Sequence, residues 1–334
     1  MNFSTSALKS PLGIRLVSGK RGKRPGAYIG SYVLGKGFIL SPEQAEDLIQ
    51  RDTRNKDVLF PYLNGEDLNS RPDCSASRWV INFHDWPEER AREYPEVFDI
   101  VERYVKPERM KNNRKVYRDY WWQYAEKRPA MLKALRGQDR VLAVALVSRT
   151  VMPVAVPTGQ VFSHMLGIFA TSEMSHLALL DSGIHGAWVE AQASTLETRI
   201  RYTPSDVYET MPHPVEATSA MDSSGIRLAD FRSLVMQDRQ LGLTKLYNLI
   251  HDPNIIDLDI TSIRRFHREV NEVVAQAYGW EDISLEHDFF DTRQGVRFTF
   301  PAKTRIEILD RLLELNHKEG KSQKRLEVGG GVLF

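Results

Sequence analysis

The side chains best suited to chemistry gather at one short polar interruption. Ser148, Arg149 and Thr150 break the apolar stretch DRVLAVALVSRTVMPVAVPTGQV, residues 139–161. Val141–Val147 and Val151–Val156 on either side read as two β-strands joined by this turn. The approach is basic: residues 101–140 hold 12 Lys or Arg against 5 Asp or Glu, with Trp121, Trp122 and Tyr124 among them. Cations beside aromatics suit nucleic acid, because cationic groups neutralise phosphates while rings stack on bases. Tryptophan mostly buries, so Trp121 and Trp122 are assigned to the core and the surrounding Lys and Arg to phosphate. On these residues alone, a buried hairpin with a solvated turn explains Ser148–Thr150 equally well.

Other chemistry-bearing patterns are weaker. Glu66 and Asp67 are adjacent carboxylates in VLFPYLNGEDLN, but no His or further acid lies nearby at ligand spacing, and a solvated turn explains them. His176 and His185 lie on two expected helices without a carboxylate or Cys at metal spacing and read as ordinary helix residues. Pro72-Asp73 is followed by nothing that completes a nuclease arrangement. The sequence has no Gly-rich dinucleotide fingerprint, and Gly35-Lys36-Gly37 is too short for a phosphate loop. It also lacks a Gly-x-Ser-x-Gly elbow, a His-Glu-x-x-His pair and the Asp/Asn-Pro-Pro-Tyr adenine pocket. No catalytic or metal-binding residue is assigned, and a binding or specificity module is favoured over a free-standing enzyme.

The elements that must position these groups follow from pattern. The chain has 334 residues, 42% apolar and 27% charged, enough for two ordinary domains with real cores. Net charge is +1, but residues 1–36 carry seven Lys or Arg and no acid, so basic segments are separated from acidic ones. Cys74 is the sole cysteine, which excludes an internal disulfide and Cys-based zinc sites. No signal peptide or apolar run of about 20 residues occurs, so the protein is expected to be soluble and cytoplasmic, without membrane contact. The fold class is α+β. A basic arm (1–27) is expected before a mixed sheet-and-helix domain over 28–214. Ser41-Pro42-Glu43 starts a helix that ends near Arg51, and Pro87 to about Val105 forms a charged helix broken before Pro95. Residues 106–136 read as helical pieces with Arg109, Asn113 and Val116 on one side. Residues 173–182 and 184–193 read as two helices, and Thr195–Tyr202 as one strand. A Ser/Ala/Thr linker (215–224) leads to a mostly helical domain (225–317) whose third helix is Thr304–Leu315, and then to a loose tail (318–334).

Eight segments in order carry a family resemblance. They are VLGKGFILSPEQAEDLI (33–49), VLFPYLNGEDLNSRPD (58–73), RWVINFHDWP (78–87), YPEVFDIVERYVKPERMKNNRK (94–115), WWQYAEKRP (121–129), VPTGQVFSH (156–164), STLETRIRYTPSDVYETMPHP (194–214) and YGWEDISLEHDFFDTRQGVRFTF (278–300). Together they resemble the C-terminal half of MmeI-like (type IIL) restriction-modification enzymes and related adenine-specific DNA methyltransferases. The likeness spans roughly residues 28–317. It implies a target recognition domain followed by a small helical domain, with double-stranded DNA as partner in a phage-defence system. It also implies a methylase, as another chain or another domain; S-adenosylmethionine is expected only there, and no cofactor in this chain. The motifs of the methylase half do not occur, so its methyl transfer maps onto no residue here.

The resemblance further implies site residues. Ser148, Arg149 and Thr150 are expected to read bases, with Arg149 foremost, since a guanidinium can pair with guanine O6 and N7. Lys111, Arg114, Lys115, Arg118, Arg199 and Arg201 are expected on DNA phosphates, fixing register. Asn64, Gly65, Glu66 and Asp67 fall where the recognition domain leaves the methylase and are expected at that interdomain contact. Two other classes stay open: an intact methyltransferase with an unrecognised active site, which would bind S-adenosylmethionine, and a protein-interaction scaffold, which would lack salt-dependent DNA affinity.

Overall fold

A computed structural model describes residues 24–329 and two short strands before them, with side chains described for residues 24–320. The expected basic arm and the end of the expected tail lie largely outside these residues. Strands β1 (Leu8–Lys9) and β2 (Arg15–Leu16) pair antiparallel. After β3 (Ala27–Ile29) and β4 (Ile39–Leu40) comes α1 (Pro42–Arg51). Its start is a reciprocal cap: Ser41 Oγ accepts from the Gln44 amide at 3.2 Å, and Gln44 Oε1 accepts from the Ser41 amide at 2.9 Å. Pro42 takes the first helical position, where a missing N–H costs nothing. Strand β5 (Leu59–Leu63) runs into α2 (Gly65–Ser70), and β6 (Arg78–Ile81) returns beside it.

Five short helices carry the chain onward: α3 (Glu88–Ala91), α4 (Pro95–Tyr104), α5 (Lys106–Met110), α6 (Lys115–Asp119) and α7 (Pro129–Ala134). The α3–α4 break falls before Pro95, as expected. The α5–α6 break was not foreseen. Asn112 Oδ1 accepts from the Arg114 amide at 2.9 Å, a local turn that competes with the helix. Arg109, Asn113 and Val116 therefore do not share a face: Arg109 is buried and Val116 exposed.

Strands β7 (Arg140–Ala145), β8 (Val147–Ser148), β9 (Val154–Pro157), β10 (Val161–Phe162) and β11 (Leu166–Phe169) precede α8 (Met174–Asp181) and α9 (Gly183–Gln192). Thr195–Tyr202 is not one strand. β12 (Ser194–Leu196) and β13 (Arg199–Arg201) form a hairpin that turns at Glu197, whose φ is 57°. The rest is helical, α10 (Ser219–Asp238), α11 (Leu243–Ile250), α12 (Leu258–Ala277) and α13 (Ala302–Gly329), interrupted by the hairpin β14 (Asp288–Thr292) and β15 (Gly295–Thr299). Thr218 caps α10 by accepting from the Met221 amide at 3.1 Å, so helix begins inside the expected linker. Helix α13 continues past Leu315 to Gly329. The mixture of several small sheets with these helices is an α+β fold.

Two cores organise the described residues. A mixed sheet in the order β10-β5-β6-β4 packs with α1 and α4 around Phe38, Val80, Phe83 and Val101. A second sheet, β3-β11-β7-β9, is antiparallel throughout and shares one continuous core with α8, α9 and the helices from α10 onward. Helix α8 is buried from Ser175 to Leu180, which fits its lack of a polar face. Two glycines permit the close packing between the sheet region and the later helices. A Cβ on Gly225 of α10 would lie 2.1 Å from the Met174 carbonyl oxygen, and one on Gly242 would lie 2.3 Å from the Ser70 carbonyl carbon. The Ser/Ala/Thr stretch thus joins two parts of one core.

Candidate nucleic-acid interface

The hairpin expected around Ser148–Thr150 is built differently from a two-strand turn. β7 pairs with β9 from Arg140↔Pro157 to Ala143↔Val154, but the chain leaves that sheet at Leu146. Residues 147–148 then join a third sheet, β12-β13-β8, in the register Ile200↔Ser148 and Arg201↔Val147. The loop is Arg149–Pro153. Strand alternation sorts the side chains. Ser148 and Ile200 face inward; Ser148 is buried, and its hydroxyl donates to the Thr150 carbonyl. Its hydroxyl therefore closes the loop, which corrects the expectation of three side chains offered to bases. Arg199 and Arg201 are exposed on the other face, whereas Arg149, one residue beyond β8, is exposed on the loop that follows, on the side of Ile200 and Arg297. Thr150 is half-buried.

This edge is basic. Glu197 at the turn pairs with Arg199 at 2.9 Å, and both are solvated, so the pair is weak. Arg149 and Arg201 have no carboxylate within ion-pair distance among the described residues.

The loop is anchored from beneath. Arg232 of α10 donates to the Pro153 carbonyl, to Asp181 Oδ2 at 2.8 Å and to the Tyr247 hydroxyl at 2.9 Å. The Arg232 and Asp181 side chains are only 3% and 1% exposed, so this ion pair is desolvated. Sequence reading missed it, because nothing near Arg232 or Asp181 marks either as buried.

The second basic group is separate. Lys111, Arg114, Lys115 and Arg118 lie on and between α5 and α6, which flank the first core rather than the arginine edge. Arg114 donates to the Tyr117 hydroxyl at 2.7 Å and Arg118 to the Asn112 carbonyl; Lys111, Arg114 and Lys115 are exposed and Arg118 is half-buried. Arg109 is structural. It donates to the carbonyls of Leu34 at 2.8 Å, Val33 at 2.9 Å and Gln123 at 3.0 Å, and burial lowers its pKa from the usual guanidinium value. Trp121, Trp122 and Tyr124 are buried; Trp122 Nε1 donates to the Trp86 carbonyl at 2.9 Å.

Asp67 is not on a solvated turn. Asn64 Oδ1 caps α2 by accepting from the amides of Glu66 and Asp67. Buried Asp67 accepts from Asn64 Nδ2 at 2.7 Å and from the Ser77 hydroxyl at 2.7 Å. Gly65 lies over Ala145 and Met165, and only Glu66 is exposed. The histidines are core groups with tyrosine partners: His176 Nε2 lies 2.7 Å from the Tyr208 hydroxyl and His185 Nε2 lies 3.1 Å from that of Tyr202. Burial pushes both imidazoles down to about 4. Among the described residues, no group of three or more His, Cys, Asp or Glu could hold a metal ion, and no helix is long and apolar enough to cross a membrane.

Comparison with known families decides the relationship. The family model "MmeI, target recognition domain" matches residues 22–215. The chain belongs to that family. A solved structure of the type IIL restriction-modification enzyme MmeI in complex with DNA shares the fold, with a TM-score of 0.65 and 17% identity. The likeness covers 92% of this chain and 38% of that one, so this chain spans well under half of that enzyme's length. Comparison with curated proteins gave no match. Within the MmeI target recognition family match lie both the β12–β13–β8 edge and the α5–α6 cations, while α10–α13 lie beyond it.

Proposed function

We propose that this chain is the sequence-reading module of a type IIL-like restriction-modification system, binding double-stranded DNA and directing an adenine-N6 methylase. The observation that carries this reading is the exposed arginine edge of β8 and β12–β13, inside the stretch matched by the target recognition family. Arg149 and Thr150 read base edges, with Ser148 shaping their loop. Arg199, Arg201, Lys111, Arg114, Lys115 and Arg118 contact phosphates and fix register. Glu66, exposed on α2, is the member of Asn64–Asp67 available to a methylase, and Asn64 and Asp67 hold that helix start in place. S-adenosylmethionine and methyl transfer belong in this reading to the methylase.

The test is selection of bound duplexes from a random pool at two salt concentrations. A short motif that persists at the higher salt supports the reading; binding without a motif, lost steeply with salt, leaves only phosphate contact. Arg149→Ala is expected to relax preference at one base pair by about 1–3 kcal/mol. Lys115→Ala is expected to weaken all sequences alike. The opposite pattern would mean that the two roles are exchanged.

A further inference from the structure

A cavity of about 160 Å3 opens between the Arg149 loop and the β14–β15 hairpin. Arg149 and Arg297 stand among its lining, with His251 also on its wall. Its two acidic wall residues are already matched: Asp181 pairs with Arg232 at 2.8 Å, and Glu190 lies 3.5 Å from Arg305 Nε. Arg149 and Arg297 have no carboxylate within ion-pair distance among the described residues, and Arg297 Nη1 donates only to the adjacent Val296 carbonyl. Burial, with the Arg149 charge added to it, holds the Arg297 guanidinium below its usual pKa range, so the two cations are near neighbours.

His251 supplies an orphan donor. Its Nδ1 accepts from the Phe298 amide at 3.1 Å, which leaves the ring proton on Nε2. That Nε2 is buried and has no hydrogen-bond partner among the described residues. Burial keeps the imidazole neutral, with its pKa lowered to about 3. A buried N–H without an acceptor costs free energy that a bound acceptor would recover. Two unmatched cations and an unmatched donor around one concavity attract an oxyanion.

We propose that this cavity binds a phosphate-class oxyanion, held by Arg297 with His251 Nε2–H as a further donor; Arg149 joins them on a free anion, and in the DNA complex it stays on its base edge while Arg297 takes the neighbouring phosphate. The phosphate belongs either to the backbone of bound DNA or to free inorganic phosphate. The DNA source rests on the recognition function proposed above; the free source does not. In the DNA case the helical part of the chain contributes directly to the protein–DNA clamp through Arg297, beyond the stretch matched by the recognition family.

The experiment uses the full chain and its Arg297→Gln, Arg297→Lys and Arg149→Gln variants. One arm measures melting temperature against inorganic phosphate at constant ionic strength. The other measures duplex affinity against salt. A free-phosphate site raises the melting temperature of the wild type and of Arg297→Lys, with the rise lost in both glutamine variants. A backbone-phosphate site lowers the salt slope of Arg297→Gln by about 0.9 without changing sequence preference, and Arg297→Lys restores it. Arg149→Gln, on an exposed loop, repeats the phosphate arm should Arg297→Gln fold poorly. Wild-type binding to DNA with unchanged slopes in Arg297→Gln, and no phosphate stabilisation in any protein, overturns the inference while leaving DNA recognition intact. Phosphate stabilisation without any DNA binding overturns the recognition reading instead.

Discussion

Replacing Arg232 by Met tests how the Arg149–Pro153 loop is held. Arg232 makes three bonds in a desolvated setting: to Asp181, to the Tyr247 hydroxyl and to the Pro153 carbonyl. Met keeps most of the buried volume, so the loss is electrostatic rather than a cavity. What is left behind is the Asp181 carboxylate, 1% exposed, with the Tyr247 hydroxyl at 3.2 Å as its remaining donor. Breaking a buried pair by removing one partner costs about 3–5 kcal/mol, because the other charge stays buried and unmatched. Urea unfolding of the wild type, Arg232→Met, Asp181→Asn and the double variant at pH 7.5 measures it. The double variant is expected to lose clearly less than the sum of the singles, since neither unmatched charge remains. Freed from Arg232, Pro153 no longer fixes the far end of the Arg149 loop, so base preference is expected to fall more than phosphate affinity. A single-variant loss below about 1 kcal/mol, or strict additivity, would refute the claim that this pair is the loop's anchor.

Acid should destabilise the protein through His176 and His185. Their folded pKa values of about 4 lie below the ordinary value of 6.5, so the unfolded chain binds protons first as pH falls. Stability is intact above about pH 6.5 and is lost between there and about pH 4, by at most about 2 kcal/mol per histidine at pH 5. Urea midpoints at pH 7.5 and pH 5 check this, and His185→Gln should shrink the difference. Arg109→Met strips two buried carbonyls and one half-buried carbonyl of their donor and should cost about 2–4 kcal/mol; a near-neutral result in thermal unfolding would place those carbonyls in water. Ser41→Ala removes half of a reciprocal cap and should cost about 1 kcal/mol, read in the same assay.

What was legible in the sequence was local chemistry with a short range. Ser41-Pro42-Glu43 states a helix start because its capping partner is three residues away. Pro95 breaks a helix wherever it falls. Glu197 was not legible as a turn, since a left-handed backbone at a glutamate is set by the pairing of β12 with β13 and not by its own preference. In sequence Ser148 reads as part of a polar turn because it interrupts an apolar run. Its inward direction comes from β8 changing sheets to meet β13, a contact with residues more than fifty positions later. The exposed lysines and arginines were identifiable as a class, but composition cannot tell Arg109, locked onto carbonyls, from Lys115, free in solvent. Nor does a Ser/Ala/Thr stretch reveal that the helices after it complete the preceding core.

That shared core bears on how such a module can vary its target. The arginine edge hangs on two short strands and a five-residue loop, and among the described residues its side chains contribute little to either core. Arg149, Arg199 and Arg201 can therefore change with small cost in stability, since surface substitutions away from caps and buried networks stay within about 0.5 kcal/mol. Ser148, Ile200, Pro153 and Arg232 cannot change so freely, because they set where the edge stands relative to α8, α10 and α11. On the proposed function, such a module separates the exposed residues that meet DNA from the buried ones that hold them in place. Exchange of Arg149 should then alter specificity, and exchange of Arg201 should weaken all sequences alike, in proteins that still unfold at the wild-type urea midpoint, while exchange of Ile200 should lower that midpoint before it alters specificity.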